Sequence, residues 1–165
     1  MVHLLPLPGS PGFGGSFAEV VADASSRART LADAGFPALM VENFGDTPFY
    51  ADRVPAVTVA AMTRCVEAVI DATGLPVGVN VLRNDVESAL AIAAVTGARF
   101  VRVNVLAGTM YTDQGPIVGR AADVLRQRAA LCPEVAIWAD VLVKHAVPPP
   151  GLTLAQAAAD TWERA

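Results

Sequence analysis

The sequence predicts an α/β protein built as the first five units of a (β/α)8-type barrel, and three observations carry that expectation. Five apolar runs rich in Val, Ile and Leu alternate with five helical patterns, as expected of parallel strands covered on both faces. Each run ends in polar side chains: His3; Glu42 with Asn43; Asn80 with Arg83; Arg102 with Asn104; and Asp140 with Lys144 and His145. In barrels the loops after the strand C-termini carry the chemistry. Finally, Val77, Val79 and Val81 share one face of the third strand and Val101, Val103 and Val105 one face of the fourth, while Asn80, Arg102 and Asn104 take the other. The all-Val face suits packing under helices, which leaves the polar face for a barrel interior.

The elements follow in order. The first strand spans about Val2 to Leu7, followed by the Gly/Pro-rich loop PGSPGFGG, and the first helix opens at Ser16, whose spacing to Glu19 fits a capping box. Gly35 ends it. The second strand, Ala38 to Asn43, leads through FGDTPFYADRV to a helix from near Pro55 to Thr73, with Gly74 as its stop. The third strand, Val77 to Leu82, turns directly into a helix from Asp85 to Thr96, where Asn84 and Glu87 have capping spacing and Gly97 follows. The fourth strand, Phe100 to Leu106, precedes a long loop AGTMYTDQGPIVG and a helix from about Arg120 to Leu131. A fifth strand is expected at Val135 to Val143, and after KHAVPPPG a last helix opens with Thr153 and Gln156. The VNVL shared by the third and fourth strands reads as a weak internal βα repeat.

A five-stranded flavodoxin-like sheet is the alternative, and a length of 165 residues favours it, since a complete barrel takes about 250. Yet a doubly wound sheet gathers its ligand at one switch point, so only some strand ends need polarity. Here all five have it, and Arg102 and Asn104 would be costly under a second helical layer.

Composition narrows the partners. A chain that is 53% apolar and 17% charged has the material for a core. A net charge of −4 without basic clusters argues against nucleic acid and anionic membrane as main partners. A small anionic ligand held locally stays compatible. Cys65 and Cys132 have no CxxC spacing and read as buried reduced thiols of a cytoplasmic protein. The N-terminus, lacking a basic stretch and broken by Pro6 and Pro8, does not read as a signal peptide, and no run reaches membrane-spanning length.

Glu42 and Asp140, with His3 and His145 beside them, are candidate metal ligands or an acid/base pair. The competing reading is a structural hydrogen-bond network in the barrel mouth. No HxH or HExxH spacing specifies a metal, and no cofactor is indicated. Lys144 is a candidate Schiff-base lysine or anion contact provided that it shares the inward parity of Asp140; otherwise it is an exposed lysine. Arg83 and Arg102 can hold a carboxylate or phosphate, although Arg102 would equally neutralise Glu42. Asn80, Asn104, Asp113 and Gln114 would orient a polyhydroxylated ligand, whereas Asn84 and Asp85 read as helix caps. GSPGFGG is expected to be a flexible lid, and Phe44, Phe49 and Tyr50 around Asp46 to seal the barrel top.

The stretches VENFGDTPFY (Val41 to Tyr50), GVNVLRND (Gly78 to Asp85), RVNV (Arg102 to Val105), TDQG (Thr112 to Gly115) and ADVLVKHA (Ala139 to Ala146), with HLLPLPGSP near the start, resemble the BtpA family over the whole chain. The resemblance implies a TIM-barrel-like fold and, in oxygenic phototrophs, an association with photosystem I biogenesis. Other members occur in non-photosynthetic organisms, some beside sugar-uptake genes. Family members continue through three more βα units, so the expectation is a barrel cut after its fifth. Two function classes follow: a biogenesis factor for a membrane complex, or an enzyme on a small phosphorylated or polyhydroxylated metabolite. The first and fifth strands would be open edges, VAIWADVLV being long and apolar, so self-association or a complementing chain is expected.

Overall fold

The computed structural model describes residues 1–165 as one five-stranded parallel sheet with helices packed against it. The strands are β1 (Val2–His3), β2 (Leu39–Glu42), β3 (Val77–Asn80), β4 (Phe100–Val103) and, beyond a hairpin of β5 (Thr109–Thr112) and β6 (Gly115–Val118), β7 (Ala136–Ala139). The helices are α1 (Phe17–Asp33), α2 (Ala56–Thr73), α3 (Val86–Thr96), α4 (Ala121–Leu131) and α5 (Leu154–Trp162). Sheet order is β1-β2-β3-β4-β7, the order of the chain, with no reversal.

Alternation divides the sheet as its valines predict. Val2, Leu39, Val41, Val77, Val79, Val101 and Val103 are buried in a core shared with Val20, Ala24 and Ala28 of α1, Met62, Cys65, Val66 and Val69 of α2, and Leu90 and Ile92 of α3. In α1 and α2 these positions recur every three or four residues, so each of the two helices lays one stripe on the sheet. Successive helices also pack on one another, α1 on α2, α2 on α3 and α3 on α4. Gly74 and Gly97 close α2 and α3 at φ 65° and 77°, where a β-carbon would be strained. Burial pushes the Cys65 thiol up to about 12 and raises that of Cys132 as well. Neither cysteine is therefore expected to react with iodoacetamide at pH 8 in the native protein, while both react in guanidinium; labelling of the folded chain counted by mass spectrometry checks it.

The opposite face has no helical cover. Phe100 lies across Gly78, whose place a β-carbon could not share, and stacks on Trp138 at 3.9 Å. Trp138 is 53% exposed.

Several expectations need correction. The segment 107–119 is not a loop: Thr109 to Thr112 pair antiparallel with Gly115 to Val118, and the hairpin buries Met110 and Ile117 with Val105 and Val143. Pro116 is tolerated because β6 is the outer strand, and Tyr111 opposite it spends its own N–H and carbonyl on Val147. The parallel strands are shorter than expected. The fifth ends at Ala139 rather than Val143, because only the Asp140 N–H, donating to the Val103 carbonyl, continues the ladder. The edge strands β1 and β7 have two and four residues. Asp85, not Asn84, caps α3, accepting from the Ser88 N–H at 3.0 Å. The capping box at Thr153 and Gln156 forms, and Ser16 accepts from the Glu19 N–H.

Candidate functional site

Strand alternation places Glu42, Asn80, Arg102 and Asp140 on the uncovered face, in neighbouring strands at matching heights. Register pairs His3 with Glu42 and Glu42 with Asn80. The side chains meet. Asn80 Nδ2 donates to Glu42 Oε1 at 2.5 Å, and Arg102 Nη1 reaches the same oxygen at 3.2 Å. Arg102 turns its other donors to Asp140, Nε to Oδ1 at 3.0 Å and Nη2 to Oδ2 at 2.8 Å, a two-pronged pair. Asn104 Nδ2 donates to Asp140 Oδ2 at 3.2 Å, and His3 Nε2 lies 3.1 Å from Glu42 Oε2. His3 in turn stacks on Phe44, with ring centroids 4.4 Å apart.

Two carboxylates thus share one guanidinium. Glu42 is nearly sealed, its side chain 5% exposed, whereas His3, Arg102 and Asp140 reach solvent. Both carboxylates of Arg102 raise its pKa, the hydrogen bond to Asp140 contributing most. One acceptor position remains open on Glu42 Oε2 and one on Asp140 Oδ1, each carboxylate having two oxygens with room for two bonds apiece. The face can hold a ligand's hydroxyl or amine donors. Arg102 has little left to offer a phosphate.

The remaining predicted residues lie outside this network. Asn43 is a fastener: its Oδ1 accepts from the Leu82 N–H at 2.7 Å and its Nδ2 donates to Asp46 at 3.2 Å. Arg83 is buried and donates to the Lys144 carbonyl at 2.8 Å, tying the loop after β3 to the one after β7. Lys144 is itself exposed on a turn, as is His145 with φ 62°. The parity argument for Lys144 does not apply, since β7 stops four residues before it could matter. Asp113 and Gln114 sit at the tip of the β5–β6 hairpin and bond to each other. GSPGFGG is tied by two turns, Ser10 N–H to Leu7 O and Phe13 N–H to Ser10 O, in place of a free lid.

A second set of contacts escaped the sequence altogether. Asp46 Oδ1 accepts from the Leu7 N–H at 2.7 Å, and Asn84 exchanges two bonds with the Val105 backbone, at 3.0 and 2.9 Å. Together with Asn43 these side chains join the loops after β1, β2, β3 and β4 in series, taking over where the strand ladders stop. Burial raises the Asp46 pKa, outweighing the lowering by its bonds to Leu7 and Asn43. No group of three or more His, Cys, Asp and Glu is arranged to hold a metal ion.

The BtpA family model matches residues 1–165. The chain is 51% identical over 164 residues to the Photosystem I biogenesis protein BtpA of Synechocystis sp., covering 99% of this chain and 57% of that protein. It is 52% identical over 149 residues to an uncharacterized protein of Thermococcus kodakarensis, covering 89% and 56%. To an uncharacterized protein of Methanocaldococcus jannaschii it is 45% identical over 148 residues, covering 88% and 56%. The chain spans a little over half the length of these curated relatives. No helix is long and apolar enough to cross a membrane.

Proposed function

The chain belongs to the BtpA family, and from that premise we propose that it serves the biogenesis or assembly of a membrane protein complex, as a cytoplasmic part of a (β/α)8-type barrel. The observation that carries the reading is 51% identity over 164 residues to a relative named for photosystem I biogenesis. The unreversed strand order supports the barrel, because a flavodoxin-like sheet runs 2-1-3-4-5. The polar mouth then acts as a rigid brace, with both carboxylates tied to Arg102 within the protein. Deletion of the gene in its host should lower the amount of one assembled membrane complex. Restoration by a full-length gene carrying Glu42→Gln supports the brace, and unchanged levels of every complex after deletion refute the role.

A second reading is favoured by the convergence of five strands' polar side chains on one face. It makes the protein an enzyme on a small polyhydroxylated or phosphorylated metabolite, with Glu42 and Asp140 supplying acid/base chemistry through their open acceptor positions. Equal identity to relatives from Synechocystis and Thermococcus supports an activity wider than one complex. Loss of turnover in Glu42→Gln and Asp140→Asn variants that still fold would establish it; unaltered turnover in both would remove it.

The uncovered face needs cover in either reading, from further βα units or from a second copy. For the 165-residue polypeptide alone we propose the second copy, seated over the exposed Trp138. Sedimentation velocity should show concentration-dependent association that Trp138→Lys weakens. A monomer at all concentrations would count against it.

A further inference from the structure

A cleft of about 310 Å3 lies between the loops after β1 and β2 and the first turn of α2. It is separate from the Glu42–Arg102 network: Glu42 faces the open side of the sheet, and Asn43, next in the chain, turns to the other side and lines the cleft. The volume falls in the range of small-molecule sites. Flat apolar groups make much of the wall, among them Pro11, Pro48, Phe49 and Leu82, and no lysine, arginine or histidine lines it.

Its polar groups are few and specific. Thr58 is 7% exposed, and its hydroxyl joins none of the hydrogen bonds within the chain. The hydroxyl of Ser10, which also lines the cleft, is buried and without a partner, a state that costs free energy unless something occupies the space beside it. Asp46 lines the same space, its two oxygens each holding one bond and each able to accept another.

We infer that this cleft binds an uncharged, hydroxyl-bearing ring about the size of one sugar, with Thr58 and Asp46 holding its hydroxyls and Phe49 with the prolines covering its apolar face. Competing ligand classes fit less well. An anion would meet a carboxyl and no cation. A wholly apolar molecule would strand both Thr58 and Asp46. A cation would find a single carboxyl, already bonded to Leu7 and Asn43. The site is independent of the biogenesis role and of the chemistry proposed at the sheet's open face.

The test is saturation-transfer NMR and thermal unfolding with D-ribose, D-glucose and myo-inositol, with inorganic phosphate as the charged comparison. At least one of the three neutral probes should bind and raise the unfolding temperature, and phosphate should not. Thr58→Val keeps the shape and removes the hydroxyl, so it should weaken binding about tenfold. Thr58→Ser should retain it. The assignment is overturned if none of the neutral probes binds, if phosphate binds as well as they do, or if Thr58→Val binds like the original chain.

Discussion

Arg102→Met is expected to lower the stability of the fold by about 3 kcal/mol, at the low end of what breaking a buried ion pair costs because Arg102 and Asp140 are partly wetted. The methionine fills the space of the aliphatic stem but takes from Glu42 and Asp140 the guanidinium they share. Glu42 cannot escape to water, and Asn80 offers it only a neutral donor. For a domain of this size the loss corresponds to roughly 6–12 °C in the unfolding midpoint. The triple variant Arg102→Met, Glu42→Gln, Asp140→Asn removes both stranded charges and should recover at least half of the deficit. Thermal unfolding followed by circular dichroism reads both. If Arg102→Met unfolds within 2 °C of the parent, the guanidinium is not what holds this face together.

The sequence made the two sides of this sheet legible and left its fastenings hidden. Period-two valines in β3 and β4 separate a helix-covered face from a polar one without any knowledge of contacts, and the polar residues they expose do meet. Arg102 does pair with Glu42, at 3.2 Å, but its two-pronged bond goes to Asp140 on the next strand, a partner that no local pattern encodes. Asn43, Asp46 and Asn84 look like a ligand contact, a loop acid and a helix cap. Their true partners lie 39, 39 and 21 residues away, and a hydrogen bond over that span leaves no trace in spacing. The hairpin was missed because Gly108, Gly115, Pro116 and Gly119 mask four-residue strands whose alternation is otherwise plain. For Lys144 parity gives no inward direction, because it holds only while the strand lasts, and the strand ends at Ala139.

Gly45→Ala should cost about as much as Arg102→Met, roughly 3 kcal/mol, through backbone rather than charge. Gly45 sits against the segment that continues β1, its N–H donating to the Leu4 carbonyl at 3.1 Å. A β-carbon there would lie 2.6 Å from Pro6 N and 2.7 Å from Leu4 O, distances that real contacts do not reach. No flexible side chain can yield, so the two loops must part. Parting them strains three bonds at once: Gly45 N–H to Leu4, Leu4 N–H to the Glu42 carbonyl, and Leu7 N–H to Asp46. The consequence reaches both sides of β2, since His3 with Glu42 lies on one and the Thr58 cleft on the other. Gly14→Ala serves as the comparison, because a β-carbon at Gly14 meets nothing within 4 Å, and it should change stability by no more than about 0.5 kcal/mol. Urea unfolding of the two variants side by side separates close backbone approach from a general need for glycine in these loops. Equal, small effects at both positions would mean that the segment after β1 does not depend on contact with Gly45.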